Sequence, residues 1–305
     1  VNHKAIRFYL FDKVVIGYCL LMDVLILVLA RPLGRFYDEF TFYAGMALIA
    51  FVIVRLVDPS RSRLSAFVRL LYPAIMFTFF YRETGHLMFL LHSHFFDAQL
   101  TAFEASVFGV NPTLYIDRTL LDPWLTELFS MSYFGYYFII PVFLIVVFFR
   151  RRYEVIANFM AASTLTFFLS YLLFFVYPIE GPRWHFAGQY LHQVTGPVFR
   201  PLVEYVIANG AVHGGCMPST HFGIALVILL YTFRFFRTTA WWLLPIVIGL
   251  AIGTVWGRFH YVSDVVVGGF IGAVVTAAVW KLSPLINEIG KSRSSKEVLT
   301  RENVS

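Results

Sequence analysis

The sequence predicts an all-α integral membrane protein with about eight transmembrane helices. The 305-residue chain is 59% hydrophobic and only 14% charged. Its apolar residues gather in long blocks instead of alternating with polar ones, and its Lys and Arg residues fall mainly to one side of those blocks, which is the composition of a polytopic membrane protein.

The blocks lie at 14–30, 41–57, 66–81, 124–149, 155–177, 219–236, 240–257 and 261–282. A helix needs about 20 mostly apolar residues to cross roughly 30 Å of hydrocarbon; the first three blocks are short by that measure and the other five are near or above it. Backbone groups in lipid bond internally, so the spans are expected to be helices. The first block has no small-residue cleavage site and reads as a signal anchor. With the N-terminus placed inside, seventeen of the 24 Lys and Arg residues fall in inner segments. The seven outer ones are Arg31, Arg35, Arg82, Arg118, Arg183, Arg200 and Arg258. This bias places both termini in the cytoplasm. The net charge of +6 then calls for an anionic inner leaflet and not for nucleic acid.

Two outer segments are longer than simple connections. In 82–123, Phe96, Leu100, Phe103 and Val107 recur at helical spacing beside Asp97, Thr101 and Glu104, predicting an amphipathic surface helix stopped by Gly109 and Pro112. The second, 178–218, opens with "PIEGPRWHF", where Glu180 is expected to pair with Arg183 or to serve only the turn. Residues 1–283 form one membrane domain in this reading, and 284–305 a polar cytoplasmic tail without a core-forming pattern. Cys19 falls within the first span and Cys216 in an outer loop, so neither a disulfide nor a metal-type cysteine spacing is expected.

The polar residues converge at the outer face. From His221 the chain runs inward through the sixth block and back out through the seventh to "GRFHYVSDVVVGG", two legs of similar length. His221 and His260 are therefore expected at one membrane level, with Arg183 beside them. His260 and Asp264 stand four apart, so on a helix the carboxylate can accept the imidazole proton and leave the other ring nitrogen as a nucleophile. An ionisable residue at the start of a membrane helix is a functional candidate by default. Pro218 suits a first helical turn, whose free amides form an anion site together with Ser219 and Arg183. A phosphate held at that helix start, with His221 handling a proton beside it, is the chemistry the pattern points to.

"GPR", "PSTH" and "HYVSD", in that order on three membrane helices, resemble the phosphatidic acid phosphatase type 2 superfamily, which includes vanadium haloperoxidases. Within it the chain is similar to the inositol phosphorylceramide synthase branch and its bacterial relatives. The resemblance spans roughly 86–275. It implies a six-helix phosphatase-type core with the active site on the extracytoplasmic face of a bacterial plasma membrane. His260 then attacks phosphorus to form a phosphohistidine and Asp264 orients it. His221 protonates the leaving group and then activates the acceptor, Arg183 holds the phosphate, and neither metal nor cofactor is expected. Asp97 and Glu104 fall in a stretch resembling one that precedes the fourth span in the synthase branch, which makes them candidate substrate contacts.

Two departures bear on the substrate. The phosphatase pattern has a lysine where this chain has Val176 and an arginine where it has Thr254; Arg258, two residues before His260, is placed to replace one of these cations. A monoester carries nearly two negative charges and a diester one, so fewer cations favour a phosphodiester. The expected partners are therefore a phospholipid donor and a lipid or polyol acceptor. A lipid phosphate or polyprenyl diphosphate phosphatase is the enzymatic alternative. A transporter is the other class, against which stands the gathering of His, Arg and Asp at one face. His86, His92 and His94 lack helix-face spacing and are expected to be interfacial or to line the acceptor pocket.

Overall fold

The computed structural model describes residues 8–29 and 36–283, so the expected tail at 284–305 lies outside the described residues. Among the described residues the chain is helical, with no strand. In chain order the helices are α1 (Leu10–Leu29), α2 (Phe36–Leu56), α3 (Arg63–Leu87), α4 (Asp97–Phe108), α5 (Pro112–Tyr115), which runs on into a π-turn (Ile116–Leu120), α6 (Pro123–Phe149), α7 (Tyr153–Val176), α8 (Pro182–His185), α9 (Phe199–Gly210), α10 (Thr220–Phe235), α11 (Arg237–Trp256) and α12 (Val262–Leu282).

Each of the eight apolar blocks is a helix. Six helices, namely α2, α3, α6, α7, α11 and α12, are long and apolar enough to cross a membrane. The other two miss for physical reasons: α1 has 20 residues but carries Asp12, Lys13 and Asp23, and α10 has only 16 residues. The three blocks that looked short are extended by polar residues, and α3 runs on through Arg82, Glu83 and His86. Asp12 is the clearest case of why a charge is tolerated here. It is fully buried, forms a two-pronged ion pair with Arg69, and accepts from Tyr72 Oη at 2.8 Å, which ties α1 to α3. Leu20, Val24 and Val28 on α1, Val142 and Phe149 on α6, Trp241 on α11 and Phe270 on α12 stay exposed. Apolar side chains left outside on most of the long helices are what a multi-pass membrane protein shows to lipid.

Helix α7 sits innermost, packing against α1, α3, α10 and α12, while α11 packs on α6 and α10. Helices α10 and α12 approach each other closely. A Cβ on Gly268 would lie 2.2 Å from the Ser219 carbonyl oxygen, and one on Gly272 2.5 Å from that of Gly223. Small residues let the backbones touch, and the Ser219 amide donates to the Asp264 carbonyl at 2.9 Å. This contact locks the starts of α10 and α12 together. Gly268→Ala should therefore force the helices apart, costing about 1–3 kcal/mol as overpacking does. The thermal midpoint of purified protein in detergent checks this; an unchanged midpoint would show that the contact yields freely.

A helix is present where the amphipathic one was expected, as α4, ended by Gly109 at φ 73°. Its faces differ from the expected arrangement: Asp97, Leu100 and Glu104 are buried against the protein, whereas Phe103 and Val107 are exposed. The acids face inward because the chain offers them buried donors, described below. Helix α9, within the second outer segment, was not expected from the sequence. Its N-terminus is held by the Glu127 carboxylate of α6, which accepts from the amides of Val198 at 2.8 Å, Phe199 at 2.5 Å and Arg200 at 3.2 Å.

Candidate active site

The lock between α10 and α12 brings the two histidines together. His221, in the first turn of α10, and His260, just ahead of α12, have ring centroids 5.9 Å apart. Ser219 is the N-cap of α10, its Oγ accepting from the Phe222 amide at 3.5 Å. Pro218 therefore precedes the cap and does not occupy the first turn, a one-residue shift from the expected start. The hydroxyl of Ser219 is fully buried in this capping role, and it is the Thr220 and His221 part of the turn that borders the cavity described below.

His260 Nδ1 lies 3.3 Å from Asp264 Oδ2, and the same oxygen accepts from the Tyr261 amide at 2.8 Å. The Phe259 and His260 amides both donate to the Thr254 carbonyl, at 2.9 and 3.0 Å, which closes the chain between α11 and α12 and fixes the imidazole's position. His221 Nε2 stands 3.3 Å from Tyr133 Oη, and the rings of Tyr133 and Tyr136 flank it at 5.2 and 4.9 Å. Those tyrosines of α6 were not singled out in the sequence, where they read as packing surface.

The cations are drawn from three segments. Arg183, on α8, donates through Nη2 to Glu204 Oε2 at 2.5 Å, and its Nη1 has no partner among the described residues. Arg200 also pairs with Glu204 and donates to the Gly257 carbonyl at 3.3 Å, its guanidinium lying 5.0 Å over the Phe259 ring. Burial lowers its pKa to about 10; Glu204 opposes this shift, and the nearby Arg183 and Arg258 add to it. Arg258, held at φ 65°, donates to buried Asp117 at 2.5 Å and to the His192 carbonyl at 2.7 Å. Glu180 pairs with His213 at 2.9 Å, so the expected partnership with Arg183 is not formed. Sequence reading also missed Arg200 as a site residue, because it stands in a helix that lacks a motif. Its i,i+4 spacing to Glu204 was the available signal.

Thr254 and Val176, the positions where the resemblance expected cations, face elsewhere. Thr254 is fully buried, its hydroxyl donating to the Ala251 carbonyl at 2.7 Å, and Val176 is exposed at the end of α7. Charge is instead supplied by Arg200 and Arg258. With Arg183 they set three guanidiniums against the carboxylates of Glu204 and Asp117, a local excess of one positive charge within the arginine cluster, while Glu180 at the same cavity is paired with His213.

Asp97 and Glu104 stand behind the site. Asp97 accepts from the amides of Glu180 at 2.7 Å and Gly181 at 2.9 Å and from Tyr261 Oη at 2.9 Å, binding the arginine-bearing loop to the segment that carries His260. Glu104 accepts from the Ser263 amide at 2.7 Å and hydroxyl at 2.9 Å, at the start of α12. Burial raises its pKa. Both carboxylates are thus engaged with protein donors. His92 meets Phe96 edge-on at a ring distance of 4.9 Å, and His94 packs against it at a tilt at 4.6 Å.

A cavity of about 490 Å³ opens onto this cluster. It is bordered by Arg183, Arg258, His221 and His260, with the rings of Tyr136 and Tyr137 beside His221, and by the further rings of Phe77, Tyr81, Phe167 and Tyr171. A ligand with a charged head and an apolar body fits such a wall. The model of the PAP2 superfamily matches residues 98–279, a stretch that contains α4 but for its first residue, Asp97, together with the three arginines, both histidines and Asp264. No curated protein and no solved structure matches the chain.

Proposed function

Because the chain belongs to the PAP2 superfamily, whose chemistry is that of a phosphatase-type enzyme, we propose that it is a membrane lipid phosphotransferase that moves a phospho-alcohol head group from a phospholipid donor to a hydroxyl acceptor. The observation that carries this reading is the pair His221 and His260, 5.9 Å apart, bordering with Arg183 and Arg258 a cavity that is otherwise lined mainly by apolar and aromatic side chains.

His260 keeps its proton on Nδ1, toward Asp264, and presents the Nε2 lone pair to phosphorus. As the N–P bond forms, the P–O bond to the lipid alcohol breaks and protonated His221 gives its proton to the departing oxygen. An acceptor hydroxyl then attacks phosphorus, its proton returns to His221, and the N–P bond breaks. Arg183, through its unpartnered Nη1, and the first-turn amides of α10 stabilise charge on the phosphoryl oxygens. The reaction needs no metal in this scheme. The local excess of one positive charge matches a singly charged diester better than a dianionic monoester. Asp97 and Glu104 act as positioning residues for the Arg183 loop and for α12.

Purified enzyme should use phosphatidylinositol faster than phosphatidic acid, and only when a lipid hydroxyl acceptor is supplied. Faster phosphate release from phosphatidic acid, unaffected by any acceptor, would leave a lipid phosphatase in place of a transferase.

The reading also places eight spans in a bacterial plasma membrane, with both termini cytoplasmic and the site on the extracytoplasmic face, on the strength of the Lys and Arg asymmetry. A cysteine introduced near Arg183 should react with an impermeant thiol reagent in intact cells; reaction only after permeabilisation would reverse the orientation.

A further inference from the structure

Cys216 lies outside the motifs and has no part in the scheme above, yet its side chain is wedged against the nucleophile's support. Its Sγ is 3.0 Å from Asp264 Oδ2, 3.4 Å from His260 Nδ1 and 3.2 Å from the Phe259 carbonyl. Gly181 makes the room, since a Cβ there would stand 3.0 Å from this sulfur. With Nδ1 and Oδ2 themselves 3.3 Å apart, thiol, imidazole and carboxylate form a triangle of mixed sulfur, nitrogen and oxygen donors. A tetrahedral zinc ion, with Zn–S about 2.3 Å and Zn–N or Zn–O about 2.0–2.1 Å, holds such donors roughly 3.3–3.6 Å apart. The triangle has nearly those edges already, the shortest needing to open by about half an ångström. Cys216 and His260 both border the cavity, which gives an ion its path and a fourth, water ligand its space. Asp264 Oδ1 is buried with no partner among the described residues, so the carboxylate can turn toward a cation without breaking another bond at that oxygen.

From this triangle we infer that Cys216 Sγ, His260 Nδ1 and Asp264 Oδ2 form a binding site for a thiophilic divalent metal, Zn²⁺ above all, and that the bound ion switches the nucleophile off. Zinc takes the thiolate, so the thiol proton leaves to solvent. Zinc also takes the Nδ1 lone pair, so the proton of the neutral imidazole moves from Nδ1 to Nε2. The nitrogen that attacks phosphorus then carries a hydrogen in place of its lone pair. The switch rests on the phosphohistidine reading above, whereas the metal site does not. A hard cation such as Mg²⁺, which prefers oxygen ligands, should not compete.

The test uses the full chain without a histidine tag, purified in detergent and freed of metal. Titration with Co²⁺ should produce one equivalent of sulfur-to-metal charge-transfer absorption, displaced by Zn²⁺ and not by Mg²⁺. Cys216→Ala should lose that absorption and bind Zn²⁺ at least about tenfold more weakly. No charge-transfer band in the wild type, or a band that survives Cys216→Ala, would overturn the site. Should Cys216→Ala fail to fold, a Cys19→Ala protein keeps the question open to measurement: Zn²⁺ should slow modification of Cys216 by a small thiol reagent at least about tenfold, and an unchanged rate counts against the site. Phosphotransfer should fall over the same Zn²⁺ range that displaces Co²⁺. Binding through Cys216 with turnover intact would leave the site standing and remove the switch.

Discussion

His260→Ala should lose about five orders of magnitude in turnover, and His221→Ala about two to four. The first removes the atom that bonds to phosphorus, and groups acting as one nucleophilic unit cost nearly the whole of their joint effect when one is removed. The second removes only the proton relay. Asp264→Asn should lie above both, since Nδ1 keeps a hydrogen-bonding neighbour while the charge that favours the imidazolium is lost. The two histidines should also separate in a single-turnover assay. His221→Ala should still become phosphorylated when the donor has a good leaving group, such as a nitrophenyl phosphodiester, because a weakly basic phenolate needs no proton. His260→Ala should take up no phosphate from any donor. A folded His260→Ala protein that turns over normally would end the phosphohistidine mechanism, and equal rescue of both variants by the activated donor would mean that neither histidine is the nucleophile.

The long helices were legible because hydrocarbon imposes one rule on every residue of a crossing, so composition alone marks it; all eight blocks are helices, six of them long and apolar enough to cross a membrane. Legibility fell where polar partners decide. Helix α1 begins ahead of its apolar block because Asp12 is neutralised by Arg69 of α3, more than fifty residues away, and no local pattern records that pairing. Helix α9 depends on Glu127 of α6 to hold its start. The site shows the same division. The histidine pair followed from equal leg lengths between two turns and is met at 5.9 Å. The counter-ions of Arg183 and Arg258 could not be read, because Glu204 and Asp117 reach them only through tertiary packing, whereas the Arg200 and Glu204 pair, four residues apart on α9, was open to reading. Cys216 looked inert in a loop for the same reason: its neighbours lie more than forty residues on.

Charge at the arginine cluster should set which phosphate ester the enzyme accepts. Arg183→Gln should lower kcat/KM for every donor by about 10²–10³, as loss of a donor to the developing phosphoryl charge does. Glu204→Gln should act in the opposite sense, and most on one class. Glu204 holds both Arg183 and Arg200, so removing its charge frees two guanidiniums and raises the local excess from one positive charge to two. A unit charge about 7 Å from the phosphate contributes about 2 kcal/mol at an effective dielectric of about 20. Glu204 is 32% exposed, and solvent screening brings the expected gain down to about tenfold. The gain scales with the charge on the phosphate, so dianionic phosphatidic acid should gain about tenfold and the singly charged phosphodiester about threefold, narrowing the preference between them. Because α9 is anchored at its start by Glu127, losing the two ion pairs of Glu204 should leave its place intact, and an unaltered thermal midpoint would verify this. A Glu204→Gln enzyme that folds normally and keeps the wild-type ratio of the two donors would show that Glu204 does not tune the site's charge, and the argument from missing cations to a diester substrate would fall with it.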